Sequence, residues 1–191
     1  MAARSRFLTL AAAVLVLPAA AALGWALSYA ESGSANPLTP GAYAWSGGEL
    51  PDVEFTTLDG EPITVDVFRG RLVLMNFWAT WCPPCLREIP ELVRLHDALS
   101  DRGVVIVGVA AQSGNAAGVE QFADEHAMTY PVWMVDDASL DQYGVVGFPF
   151  TFLIDREGRI RMRYVGPQSY ERLLSDIEAL LGEDDGAGAN S

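Results

Sequence analysis

The chain has no lysine, only two histidines and only two cysteines in 191 residues. Its twelve basic residues, all arginine, face 25 acidic ones, leaving a net charge of −13. No basic stripe is available to follow a phosphate backbone, which excludes nucleic acid as a partner. A zinc site needs four ligands, and His96 and His126, the soft side chains outside the cysteine pair, lack zinc-finger spacing relative to it. There is no internal repeat.

What is present begins with an uncharged run, Phe7 to Tyr29, preceded by Arg4 and Arg6. As a helix it is long enough to cross a hydrocarbon core of about 30 Å. Residues 1–30 therefore read as a membrane anchor, with a cleaved signal peptide ending at Ala30 as the alternative. In either case the arginines stay inside and the body is exported. Residues 31–50 (ESGSANPLTPGAYAWSGGEL) read as a flexible linker, 51–181 as one folded domain and 182–191 (GEDDGAGANS) as a disordered acidic tail. With 50% hydrophobic residues the central span has enough apolar surface for a core.

Within that domain, strand and helix patterns alternate, which predicts an α/β sheet. Strands are expected at 71–78, 104–110 and 130–135, with a hairpin of 150–155 and 160–165 turning at 156–158. Helices are expected at 82–100, near 116–128 and at about 168–181.

Both cysteines fall in FWATWCPPC, Phe77 to Cys85, between a predicted strand and a predicted helix. A helix beginning at Cys82 places its sulfur among unpaired backbone N–H groups at the positive end of the helix dipole, which stabilises a thiolate. Cys82 is then the nucleophile, and Cys85, one turn on, closes a disulfide with it. Pro83 suits the first helical turn. Three other readings compete: a structural disulfide, which would constrain little in so short a loop, a zinc site, and an inert buried pair. Spare cysteines elsewhere would mispair after export, which accounts for their absence.

Taken together, FWATWCPPC, the preceding LDGEPITVDVFRGRLVLMNFWATWC and the later YGVVGFPFTFLIDREGRI resemble the thioredoxin superfamily, and the span from about Pro51 to Leu181 resembles its membrane-tethered TlpA/ResA/DsbE (CcmG) branch. The resemblance implies a thioredoxin-like α/β fold: a central mixed sheet flanked by helices, with an extra strand and helix between the CxxC and a cis-proline. It implies that Pro149 is that cis-proline and that the Phe148 backbone and Trp81 help to hold a substrate peptide. It also implies that Glu88 corresponds to a glutamate of this branch and takes the proton from Cys85; a solvated helix glutamate is the alternative. Asn76 stands where cytoplasmic thioredoxins carry a proton-relaying aspartate, so that relay is missing.

The implied activity is thiol–disulfide exchange without metal or organic cofactor, on the extracytoplasmic, periplasmic face of the membrane. Its direction would be reduction of disulfides in exported proteins, with apocytochrome c as the leading target and a membrane thiol-transporting protein as electron donor. Phe150 departs from the glutamate that often follows the cis-proline in cytochrome-maturation members. The alternatives are a disulfide oxidant, a copper-handling or redox-inert binding module, and a peroxiredoxin, whose Thr-x-x-Cys pattern is missing. His96, His126 and the acidic residues Glu120, Asp124 and Glu125 are expected to be structural or solvated.

Overall fold

The computed structural model describes residues 41–44 and 50–188, and the anchor expected over 1–30 lies outside them. Strands β1 (Gly41–Ala44), β2 (Phe55–Thr57), β3 (Pro62–Ile63) and β4 (Leu72–Trp78) precede helix α1 (Pro83–Leu99). Strand β5 (Val104–Ala111), helix α2 (Ala116–Glu125), strand β6 (Val132–Val135) and helix α3 (Asp137–Gln142) follow. The hairpin β7 (Phe150–Ile154) and β8 (Ile160–Val165) and helix α4 (Tyr170–Gly188) complete the chain.

The strands form one mixed sheet in the order β1-β8-β7-β4-β5-β6-β2-β3. Strands β4, β5 and β6 are parallel neighbours, as strands joined by crossover helices must be, and β7 runs antiparallel to β4. Every residue of β4 and β5 is buried. Their unbroken apolar runs, LVLMNFW and VVIVGVAA, are what strands covered on both faces require.

Period-two alternation divides the side chains of β4 between two cores. Val73, Met75 and Phe77 join Phe55, Trp133, Tyr143 and Phe152 on one face. Leu72 and Leu74 join Leu92, Leu95 and Leu99 of α1 and Leu173 and Ile177 of α4 on the other. Asn76 therefore belongs to the α1 face, and its antiparallel register partner on β7 is Thr151.

The sequence expectations need several corrections. Four residues of the expected linker, Gly41–Ala44, form an edge strand paired with β8. The sequence GAYA carries no strand pattern, so the long-range pairing decides. Helix α4 continues beyond Leu181 into the expected disordered tail, and Arg161 reaches Glu183 at 2.8 Å. Helix α2 stops at Glu125 because Ala127 has φ 51°, which ends the helical path. Helix α3 was not expected, since it is short and its start depends on a local cap: the Asp136 carboxylate accepts from Ser139 N at 2.8 Å.

Candidate active site

The site forms where β4 ends. Trp78 leads into a turn closed by Cys82 N donating to Ala79 O at 3.1 Å, and α1 begins immediately after. Cys82 is the N-cap, with extended backbone, and Pro83 is the first helical residue, where its missing N–H leaves nothing unsatisfied. Cys85 N donates to Cys82 Sγ at 3.3 Å. One N–H of the first turn thus already points at the sulfur on which a thiolate would form. Cys82 and Cys85 are joined by a disulfide, and both are buried.

The start of β7 lies beside this end of β4, since Phe77 registers with Phe150. That pairing brings the cis Phe148–Pro149 peptide to the cysteine loop. Trp81, 60% exposed, donates from Nε1 to Gln112 O at 3.0 Å and meets the Phe148 ring edge-on at 5.9 Å. Thr80 N is held by Ser113 Oγ at 3.1 Å, so the loop after β5 braces the loop after β4. Trp81, Cys82, Pro84, Val145, Val146 and Phe148 border a groove of about 370 Å³ with the disulfide at its edge. Val146 is 59% exposed, so the groove presents apolar surface to solvent.

Glu88 lies one turn beyond Cys85 on α1 and is 2% exposed. Its position on the inner side of the helix sends the carboxyl toward the sheet. Oε2 accepts from Asn76 Nδ2 at 3.0 Å, and Oε1 accepts from Gln168 N at 2.7 Å. Asn76 Nδ2 also donates to Thr151 Oγ1 at 2.8 Å. Burial pushes the Glu88 carboxyl up to about 7, against the lowering effect of the Gln168 N–H and the Asn76 amide. Such a carboxyl gains and loses a proton near neutrality, whereas a solvated glutamate stays ionised. The solvated alternative is therefore set aside.

The tertiary structure thus brings Cys82, Cys85, Trp81, Phe148 and Pro149 to one end of the sheet and puts Glu88 inside, on the same helix as the pair. Asn76, which the sequence marks only as the absence of an aspartate, is the donor to Glu88. Thr151 and Gln168 gave no signal in the sequence, because their contacts depend on the β4–β7 register and on the loop before α4. His96 and His126 stay outside the site. The His126 ring stacks on Phe122 at 4.0 Å, and the His96 ring meets Tyr130 at 6.3 Å. Glu120, Asp124 and Glu125 are exposed. Among the described residues, no group of three or more His, Cys, Asp or Glu side chains could hold a metal ion.

Comparison with known proteins agrees with this geometry. Residues 46–181 match the family model described as Redoxin. The chain is 32% identical to the thiol-disulfide oxidoreductase ResA of Geobacillus thermodenitrificans over 169 residues, covering 87% of this chain and 92% of that protein. It is 31% identical to the thioredoxin-like protein YneN of Bacillus subtilis over 134 residues, covering 69% of this chain and 78% of that protein. Among solved structures, a thiol:disulfide interchange protein of the thioredoxin family from Chlorobium tepidum superposes with a TM-score of 0.60 at 27% identity, covering 76% of this chain and 99% of that one.

Proposed function

Because the chain belongs to the Redoxin family and is a thiol–disulfide oxidoreductase of the thioredoxin-like TlpA/ResA/DsbE kind, we propose that it reduces disulfides in exported proteins from the outer face of the cytoplasmic membrane, with Cys82 as nucleophile and Cys85 as resolving thiol. The observation that carries this reading is the buried Cys82–Cys85 disulfide at the start of α1, with the buried Glu88 carboxyl one turn away.

In the reduced enzyme the Cys82 thiolate attacks one sulfur of a substrate disulfide. The new S–S bond is a mixed disulfide, and the other substrate sulfur leaves as a thiolate. Cys85 then gives its proton to the Glu88 carboxylate, and its thiolate attacks Cys82 Sγ. The bond between Cys82 and the substrate breaks, the second substrate sulfur departs and takes up a proton, and the Cys82–Cys85 disulfide is left behind. Two electrons and two protons from a membrane thiol-transporting donor restore the dithiol. Burial of Cys82 confines attack to disulfides that enter the groove, where Trp81 and the Phe148–Pro149 segment hold an extended peptide. No metal or organic cofactor takes part.

The arginines ahead of the apolar run Phe7–Tyr29 support an N-terminal anchor followed by an exported domain. The resemblance to the cytochrome-maturation branch makes apocytochrome c, before haem attachment, the first substrate to try.

The test is the reduction potential of the full chain, read from tryptophan fluorescence against a graded thiol–disulfide buffer. A value near the roughly −270 mV of thioredoxin supports a reductase, while one near the roughly −120 mV of a strong periplasmic oxidant reverses the direction of electron flow.

A further inference from the structure

We propose that Asn76 is a positioning residue which, braced by Thr151, holds the Glu88 carboxylate beside Cys85 and so sets the pH at which the resolving thiol is deprotonated. The inference rests on the proposed role of Glu88 and adds to it the residues that make that role possible.

The argument begins with the strand. Asn76 interrupts a run of apolar residues at the centre of the sheet and is 1% exposed, a position where an amide without partners is costly. Neither hydrogen of its Nδ2 is left unused. One goes to Glu88 Oε2 at 3.0 Å and the other to Thr151 Oγ1 at 2.8 Å. Thr151 is also fully buried and lies directly across the β4–β7 ladder from Asn76, so it can hold the amide with its N–H bonds aimed at α1. An aspartate in the same place would set a second carboxylate against Glu88. An apolar residue there would leave one carboxylate oxygen unpartnered. The asparagine is thus more than the loss of a thioredoxin-type relay: it is the donor that an inward-facing glutamate on the neighbouring helix requires.

The second carboxylate oxygen extends the arrangement to the peptide-holding segment. Gln168 N donates to Glu88 Oε1 at 2.7 Å, Gln168 Nε2 donates to Gly166 O at 2.9 Å, and Gly166 N donates to Pro149 O at 2.9 Å. The carboxylate is therefore held directly from β4 and from the loop before α4, with β7 bracing the Asn76 amide through Thr151. The groups facing it are two neutral donors, the Asn76 amide from β4 and the Gln168 N–H from the loop before α4, and the buried Tyr130 phenol from the loop before β6, whose ionisation the Glu88 charge opposes.

The test uses the full chain in its reduced form, mixed with dipyridyl disulfide. Attack by Cys82 releases one pyridinethione and attack by Cys85 releases a second, so the later phase reports the resolving step alone. The rate of that phase is followed from pH 5 to 9 for the wild type, Asn76→Leu, Asn76→Asp, Thr151→Val, Glu88→Gln and the Asn76→Leu/Glu88→Gln double variant.

The expected result is that Asn76→Leu moves the midpoint upward by about one pH unit, the equivalent of one hydrogen bond to a charged group, and keeps the plateau at high pH. Asn76→Asp should move it in the same direction through like-charge repulsion, and Thr151→Val by a smaller amount. In the Glu88→Gln background Asn76→Leu should cause no shift. A purely structural role would lower the plateau and leave the midpoint in place, and that result, or an equal shift in both backgrounds, overturns the inference. Should Asn76→Leu fail to fold, Thr151→Val carries the same decision. If Glu88→Gln leaves the wild-type profile unchanged, the role of Glu88 fails and this inference with it. A changed Glu88→Gln profile with unmoved Asn76 and Thr151 variants removes this inference alone.

Discussion

Trp81 stands at the edge of the groove beside Cys82. Its ring is 60% exposed, so most of its apolar surface contributes nothing to the core, and its fixed contacts are the hydrogen bond to Gln112 O and the edge-on contact with Phe148. Trp81→Ala is therefore expected to cost no more than about 1 kcal/mol in urea unfolding. It should slow exchange with a folded or peptide disulfide roughly tenfold, through loss of about 1.5 kcal/mol of apolar contact in the groove. Exchange with a small thiol reagent, which does not fill the groove, should stay close to wild type. An equal loss with both kinds of substrate would show that Trp81 shapes the cysteine loop rather than holding the peptide. At this scale the cysteines could be read directly from their spacing. Glu88 could be placed on the right face of its helix, but the direction of its carboxyl depended on which neighbour that face met.

Among the elements, β5 carries the tightest constraint. Gly108 stands in the middle of a fully buried strand, opposite Asn76 on β4 and Val132 on β6. A Cβ at this position would sit 2.9 Å from Trp78 Nε1 and 3.1 Å from Tyr130 Cε2. Both rings are buried and neither is the end of a flexible chain, so the strand or the rings must shift. Gly108→Ala is expected to destabilise the protein by about 1–3 kcal/mol in chemical unfolding. Because Trp78 packs with Cys82 and Cys85, the substitution should also disturb the disulfide loop. An alanine variant as stable as the wild type would mean that the rings repack without cost. From the sequence, Gly108 was only a glycine inside VVIVGVA, since its neighbours come from β4 and from the loop before β6. The apolar runs of β4 and β5 were legible because burial on both faces leaves a continuous signal. Strands β1, β2 and β3 were not, because they are short and are held by pairing to distant strands rather than by a pattern of their own.

Across the whole molecule, the buried Glu88 couples stability to pH. Its carboxyl is raised from 4.5 to about 7 in the folded protein, so the folded state binds the proton more tightly than the unfolded chain does. Stability from this group is fully present below about pH 4.5 and is lost as pH rises through about 7. Glu88→Gln keeps a neutral side chain of the same shape and should escape that loss. Its melting temperature is expected to match the wild type near pH 4.5 and to exceed it at pH 8, by the equivalent of about 3 kcal/mol. A gap independent of pH would mean that the side chain acts through packing and not through charge. Such a cost, borne at neutral pH inside the fold, accords with a carboxyl kept for proton exchange.

What the sequence by itself determined was the chemistry and the order of its parts. The cysteine spacing, the following prolines, the central apolar strands and the late Gly-Phe-Pro segment are local signals, and local signals survive in one dimension. They placed the cysteine pair at a strand-to-helix turn and the Phe148–Pro149 segment as its expected neighbour. Only the tertiary structure decided what surrounds the Glu88 carboxyl. Asn76, Thr151 and Gln168 are far apart along the chain and polar for no local reason, and they assemble around Glu88 because β7 pairs with β4 in one register, which sets Thr151 against Asn76, and the loop before α4 brings Gln168 N to the carboxyl. A hydrogen-bond network of that kind depends on angles and distances between elements, and those are fixed only when the helices pack onto the sheet.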